Sequence, residues 1–309
     1  MIITVTMNPA IDKTAVVDEL VVGGLNRLEQ TMMNAGGKGI NVSKTIQALG
    51  GESLATGFIA GSNGSFIKES LDQLSIDNDM VEVAGNTRVN LKVLNKDMDL
   101  TELNEEGPYI DEVALRALVD KIVKHASKND YVVLSGSVPG SVPKDIYAKL
   151  IKQLKQNKIK VILDADGDLF AHAIEEVPNV IKPNKYELCK YYEISEDCKN
   201  DEIVKLGKAL LDKGMQLIAI SMGKEGALFI DSEHTAIVKG LKVDAHSSVG
   251  AGDAMVAAIA YGLEQELSFE KLVKLAVATS AGAVMTKGTQ PASKEQVREL
   301  MKEVEISYL

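Results

Sequence analysis

The 309-residue sequence has no tryptophan, and aromatic residues make up only 4% of it. Cysteine is nearly absent, with Cys189 and Cys198 the only two. Two cysteines cannot build a disulfide framework, and nothing around them has the spacing of a zinc site. Both are expected as reduced thiols in a cytoplasmic protein. No run of about 18 uncharged apolar residues occurs, so no membrane-spanning helix is expected. The opening stretch MIITVTMNPAID lacks the charged start and small-residue cleavage site of a secretory leader, and is expected to belong to the fold. Linkers rich in Pro, Gly and Ser are missing, as are internal repeats, so two separate full domains are not expected. Basic residues are in the minority, 34 against 44 acidic, for a formal net charge of −10. Such a chain is a poor candidate for non-specific binding to nucleic acid or membrane surfaces. A small anion can still be held by a local cluster of Lys, Arg and backbone N–H groups.

What is present is ample apolar material, 45% of the chain, enough for a large core. Short β-branched runs alternate with helical patterns. Strands are expected over 2–7, 53–60, 131–137, 160–165, 180–184 and 217–221. Helices are expected over 39–50, 65–74, 111–126, 144–157, 201–214, near 252–264 and over 269–284. This rhythm predicts an α/β fold, with a mainly parallel sheet covered by helices on both faces. In such sheets ligands bind outside the carboxyl ends of the strands. Two stretches, 13–33 and 87–107, instead alternate like strands, with turn signals at Gly23-Gly24 and Asn95-Lys96-Asp97. They are expected to pair with each other as a small lid.

Six motifs fall at strand ends or in the turns that follow. In AGGKGINV (35–42), glycines let backbone approach a ligand, and a helix N-terminus can receive an anion. It is not a nucleotide P-loop, because Gly39 follows Lys38 where Ser or Thr is required. Asp12, after NPAI, can accept hydrogen bonds from two sugar hydroxyls. Arg88, Asn90 and Lys92 share one strand face. With Arg27 on the facing arm, two of them could clamp a phosphate. In IKPNKYEL (181–188), Asn184 and Glu187 suit the outer shell of a hydrated magnesium ion, with Lys182 near phosphate. In ISMGKEGAL (220–228), Ser221, Gly223 and Gly226 mark a turn that could seat a nucleotide. In SSVGAGDAMVAAIAYG (247–262), Gly250, Ala251 and Gly252 offer backbone N–H groups to developing negative charge, and Asp253 sits where a general base belongs. Each motif alone also has a plain structural reading: a tight turn, a hairpin, a helix cap at Asn184 or Asp253, or a solvated basic ribbon.

Taken together, the chain resembles the ribokinase-like (PfkB) carbohydrate kinases along essentially its full length. The marks are AGGKGINV, SGSVPG (135–140), KPNKYE (182–187), SMGKEGA (221–227) and SVGAGDAM (248–255), in that order. Within the family it is most similar to the bacterial 1-phosphofructokinase branch, on TMNPAID, LNR (25–27), TRVNLKV (87–93) and TELNEEGP (101–108). Tagatose-6-phosphate kinases and the minor 6-phosphofructokinases share the frame.

The resemblance implies a three-layer α/β/α sandwich forming one kinase domain over 1–309, with a β-lid from about 11–33 and 86–107. It implies ATP-dependent phosphorylation of a ketohexose phosphate, fructose 1-phosphate to fructose 1,6-bisphosphate. Asp253 would be the base, with Gly250, Ala251 and Gly252 as anion hole. Asp12, Gly37, Lys38, Asn41 and Arg88 would hold the sugar phosphate, joined by Arg27 and Lys92. Lys182, Asn184, Ser221, Gly223 and Gly226 would meet ATP. Asn184, Glu187 and Asp164 would form the mostly water-mediated Mg²⁺ network. Ser247, Val249, Ala283, Thr286, Gly288 and Gln290 match a potassium site of some relatives. A homodimer through the lids is implied. At LDADGDLF (163–170), Asp166 and Asp168 replace the family's usual Ser and Glu. A catalytically silent sugar-phosphate sensor is disfavoured by the intact Asp253, and a nicotinamide-dependent oxidoreductase by the missing glycine fingerprint, since Met255 stands where Gly would be needed.

Overall fold

The computed structural model describes every residue except Met98, Ser247, Ser248 and Lys287. The chain opens with β1 (Ile2–Thr6), leaves it for β2 (Ala10–Val16) and β3 (Gln30–Gly36), and enters α1 (Lys38–Leu49). Next come β4 (Leu54–Ala60), α2 (Gly61–Gln73) and the short strands β5 (Asp77–Asn78) and β6 (Val81–Val83). A second excursion carries β7 (Arg88–Leu94) and β8 (Leu100–Asn104). Alternation then runs through α3 (Glu112–His125), β9 (Tyr131–Ser135), α4 (Ile146–Gln156), β10 (Lys160–Asp164), α5 (Gly167–Ile174), β11 (Val180–Ile181) and α6 (Lys185–Tyr191). It continues with α7 (Asn200–Asp212), β12 (Leu217–Ser221), β13 (Ala227–Ile230) and β14 (Thr235–Val238). Three helices, α8 (Ala251–Glu264), α9 (Phe269–Val284) and α10 (Lys294–Glu303), precede a last strand, β15 (Ile306–Tyr308).

The main sheet runs β15-β14-β13-β12-β11-β10-β9-β1-β4-β5, with β6 paired to β4. From β12 across to β5 its neighbours are parallel, and β13, β14 and β15 extend it antiparallel. The central strands are buried on both faces, as their near-continuous apolar runs require. Side chains divide by strand alternation. On β9, Val132 and Leu134 join a core with Leu118 of α3 and Tyr147 and Ile151 of α4. Tyr131 and Val133 point the other way, to Ile46 of α1, Val256 of α8 and Val273 of α9. The result is a three-layer α/β/α arrangement, with a mainly parallel sheet between two helical layers.

The two strand-like stretches form a separate four-stranded sheet, ordered β3-β2-β7-β8. β2 and β7 run parallel, which sets Asp12 opposite Asn90 and Ala10 opposite Arg88. The 13–33 stretch is not one ribbon, however. Residues 17–29 leave the sheet, and Asn26 closes that loop by accepting from the Val21 N–H at 2.8 Å and donating to the Val21 carbonyl at 2.9 Å. Both excursions start and finish at the carboxyl ends of the main strands, so the small sheet covers that end. Sequence patterning did not separate α5 or α10. The cap of α10 was there to be read, since Ser293 accepts from the Gln296 N–H at 3.2 Å. Among the described residues no helix is long and apolar enough to cross a membrane.

Candidate active site

A cleft of about 390 Å³ opens where β1, β9 and β10 end beneath the small sheet. Thr6, Ser135 and Gly136 come from the main strands and the turns after them, and Lys38 and Asn41 from α1. Val249, Gly250 and Asp253 come from the start of α8, and Asp12, Arg88, Asn90 and Lys92 from β2 and β7. Sequence positions over two hundred residues apart therefore meet here: Asn41 Nδ2 donates to Asp253 Oδ2 at 2.8 Å.

Asp253 lies in the first turn of α8, behind Gly250, whose φ of 85° is left-handed. A residue with a side chain rarely adopts that conformation, so the glycine sets the direction of entry into the helix. The carboxylate is 7% exposed. Burial, assisted by the charge of Asp164, pushes its pKa up to about 6, although Lys38, Asn41 and Lys182 oppose the rise. A carboxylate tuned this close to neutrality suits proton abstraction.

Beside it, Asp164 ends β10 and is buried between two ammonium groups, Lys182 at 3.2 Å and Lys38 at 3.3 Å. Burial alone would raise the Asp164 pKa, but the two cations outweigh it and hold the carboxyl below its ordinary range. Asp164 in turn raises the pKa of Lys38, so this lysine stays charged. The three side chains carry one surplus positive charge beside Asp253, a fitting surrounding for a polyanion. Gly252 also approaches Lys182, since a Cβ there would sit 3.4 Å from its Nζ.

At the other end, Asn90 Nδ2 donates to Asp12 Oδ1 at 3.2 Å, and Lys92 Nζ lies 3.8 Å from the same oxygen. Arg88 ties β7 to the turn between β1 and β2, donating from Nη2 to the Asn8 carbonyl at 3.0 Å. Several buried polar atoms of this cleft have no hydrogen-bond partner among the described residues: Thr6 Oγ1, Asn8 Oδ1, Asn41 Oδ1, Asn90 Oδ1 and Thr289 Oγ1. Such orphans are costly unless something else satisfies them. A polyhydroxylated ligand would do so.

The other sequence-selected residues are placed differently. Asn184 and Glu187 form a reciprocal capping box at the start of α6, Glu187 N–H to Asn184 Oδ1 at 2.7 Å and Asn184 N–H to Glu187 Oε2 at 2.8 Å. The helix-start alternative for this motif is thus what the geometry contains. Burial nevertheless raises the Glu187 pKa. Ser221 bridges to Asn184, and Gly223 and Gly226 shape the turn after β12, outside the cleft lining. Arg27 is exposed on the 17–29 loop and does not reach the cleft. Ser247 lies outside the described residues. Around the remaining potassium candidates, Thr286 Oγ1 is 2.8 Å from the Ala283 carbonyl and 2.5 Å from that of Gln290, while Gly288 adopts a left-handed φ of 64°. These clustered backbone oxygens are donors of the kind a hard monovalent cation takes. No group of three or more His, Cys, Asp or Glu side chains converges on a metal position among the described residues. The donor set fits a magnesium ion held through waters and phosphates, not one caged by protein. Sequence reasoning passed over Thr6, Asn8, Lys44 and Thr289. Turn-forming NP and GT marked the neighbourhoods of Thr6, Asn8 and Thr289, and Lys44 lay in an ordinary helical pattern, none of which says anything of ligands.

Three comparisons bear on this geometry. The model of the pfkB family carbohydrate kinases matches residues 5–296. The 1-phosphofructokinase of Bacillus subtilis is 35% identical over 309 residues, spanning 100% of both chains. The D-tagatose-1-phosphate kinase of Bacillus licheniformis is 33% identical over 309 residues, again spanning 100% of both. Among solved structures, phosphofructokinase-2 from Escherichia coli in complex with potassium superposes with a TM-score of 0.93 at 27% identity, covering 98% of each chain. A match this complete in sequence and in fold means that the chain belongs to the pfkB family of carbohydrate kinases.

Proposed function

We propose that this kinase transfers the γ-phosphoryl group of ATP to the free hydroxymethyl group of a ketohexose 1-phosphate, fructose 1-phosphate giving fructose 1,6-bisphosphate. The observation that carries the reading is the buried Asp253, raised to about 6 and hydrogen-bonded to Asn41 at the mouth of a helix. Its carboxylate takes the proton as the hydroxyl oxygen bonds to phosphorus. The bond from phosphorus to the bridging oxygen breaks, and ADP leaves. The backbone N–H groups of Gly250, Ala251 and Gly252 receive the growing charge on the transferred group. Lys38 and Lys182, on either side of Asp164, hold the phosphoryl group in transfer between the sugar and the nucleotide.

Asp12, Gly37, Asn41 and Asn90 face the sugar hydroxyls. Arg88 and Lys92 face its phosphate, with Arg27 able to join only if the 17–29 loop folds inward. Ser221, Gly223 and Gly226 form the nucleotide edge. Mg²⁺ would be held through water by Asn184, Glu187 and Asp164, and it supplies charge neutralisation on the phosphates. Potassium, the ion named for the E. coli relative, would sit against the backbone oxygens of Val249, Ala283, Thr286 and Gln290, with Gly288 alongside. The chain acts as one kinase unit in the cytoplasm, with the small sheet as its lid. Two copies join through the lids, which carry the exposed Val22, Leu25 and Leu103.

A second reading is the C4 epimer, tagatose 1-phosphate, favoured by the relative that bears that name. An ATPase-coupled assay on fructose 1-phosphate, tagatose 1-phosphate, fructose 6-phosphate and tagatose 6-phosphate tests both. The expected result is preference for the 1-phosphates, fructose first. Equal rates on all four would reject the substrate assignment, and no rate on any would reject the kinase reading itself.

A further inference from the structure

Lys44 follows Lys38 and Asn41 along α1, yet it is only 6% exposed. A buried ammonium is costly unless its charge and its donors are used. Its Nζ donates to the backbone carbonyl of Ala35 at 2.9 Å, and among the described residues no carboxylate touches it. Two act on it from farther off, Asp12 first and then Asp253, both opposing the fall in pKa that burial imposes. On its other side lies a separate cavity of about 290 Å³, where Glu69 is the one carboxylate.

Its one hydrogen bond leads to the sugar end of the cleft. Ala35 pairs with Ile11 across β2 and β3, next to Asp12 and Asn34 in the same register. Gly36 follows, so close that a Cβ there would lie 2.4 Å from Asp12 Oδ2. The carbonyl held by Lys44 therefore lies at the end of β3, one residue before the glycine that abuts the Asp12 carboxylate. The other charges around this pair are Lys92 and Arg88 facing Asp12, and Lys38, Lys182 and Asp164 facing Asp253.

We propose that Lys44 is a positioning residue for sugar-phosphate binding: it pins the end of β3 through Ala35, and its buried charge supports the Asp12 carboxylate that this strand end holds. This rests on the kinase reading given above. The deciding variants are Lys44→Met, which removes tether and charge, Lys44→Gln, which keeps an N–H donor, and Lys44→Arg, which keeps the charge. Each is measured for melting temperature and for fructose 1-phosphate affinity by calorimetry without ATP. Folded Lys44→Met should bind the sugar phosphate about tenfold or more weakly, with ATP affinity unmoved, and Lys44→Arg should recover most of the loss. Lys44→Gln should fall between them. Folded Lys44→Met with wild-type sugar affinity overturns the proposal. So does failure of both neutral variants to fold, which would make Lys44 a requirement of the fold alone. A wild-type chain that binds no ketohexose 1-phosphate overturns the functional reading and this inference with it, whereas normal wild-type binding beside an unaffected Lys44→Met overturns this inference only.

Discussion

The amide of Asn41 donates to the carboxylate of Asp253 at 2.8 Å, joining the first turn of α1 to the first turn of α8 across 212 residues of sequence. One N–H of Asn41 is thereby committed to the Asp253 carboxylate, while its Oδ1, buried toward the cleft, has no hydrogen-bond partner among the described residues. The pair aims one oxygen of Asp253 and leaves an acceptor beside it for a hydroxyl.

Replacing Asp253 by Asn keeps the shape of this contact and removes the base. Turnover should fall by roughly 10²–10⁴-fold, the usual contribution of a general base. ATP affinity should stay within about twofold, because Lys38 and Lys182 remain in place. Stopped or steady-state assays beside a nucleotide titration check both halves.

The pH dependence follows from the same group. As the proposed base Asp253 would act when ionised, and burial raises its pKa to about 6. The rate should therefore be full above that value and decline as pH falls through it. A profile of kcat/KM flat down to pH 5 would contradict the assignment.

Stability should move the opposite way. The folded pKa of Asp253 is raised from 3.8 to about 6, so folding favours the protonated form. Burying the ionised form destabilises the chain at neutral pH, by an upper bound of about 3 kcal/mol for such a shift. The penalty is absent below the unfolded value and grows as pH rises between the two. Asp253→Asn should accordingly melt higher than wild type at pH 7.5 while losing its activity. A lower melting temperature would mean that the carboxylate is compensated by its cations.

Gly36→Ala tests the sugar end. The new Cβ would lie 2.4 Å from Asp12 Oδ2 and 2.8 Å from its Cγ, so the carboxylate must shift. The chain should fold, since the contact is with a side chain and φ at this position is not among the left-handed ones. Catalytic efficiency toward the sugar phosphate should drop by roughly 10- to 100-fold, the effect of a misplaced contact group. KM for ATP should be unchanged.

The exposed apolar residues of the small sheet set a test of assembly. Leu103 on β8 is 57% exposed and Leu25 on the 17–29 loop 81% exposed. Leu103→Glu together with Leu25→Glu should turn a dimer into a monomer in light scattering at micromolar concentration, with melting changed little. A wild type that is already monomeric would remove the lid-to-lid pairing.

What could be read from sequence was whatever depends on neighbours in the chain. Glycines at 36, 37 and 250 marked the close turns, apolar runs marked the buried strands, and alternation put Arg88, Asn90 and Lys92 on one face, where the cleft has them. Asn184 and Glu187 were recognisable as a pair, but spacing alone could not distinguish mutual capping from ligation, because both need the same two atoms three residues apart. The resemblance to the sugar kinases rested on such local motifs, and it was enough for the family. Tertiary structure decided the rest. Which carboxylate is raised and which is held down depends on desolvation and on cations brought from other strands: Asp253 and Asp164 look alike in sequence, yet burial dominates one and Lys182 with Lys38 dominates the other. The burial of Lys44 and the exposure of Arg27 were equally invisible, since both are ordinary basic residues until the packing of α1 and the path of the 17–29 loop fix what each one meets.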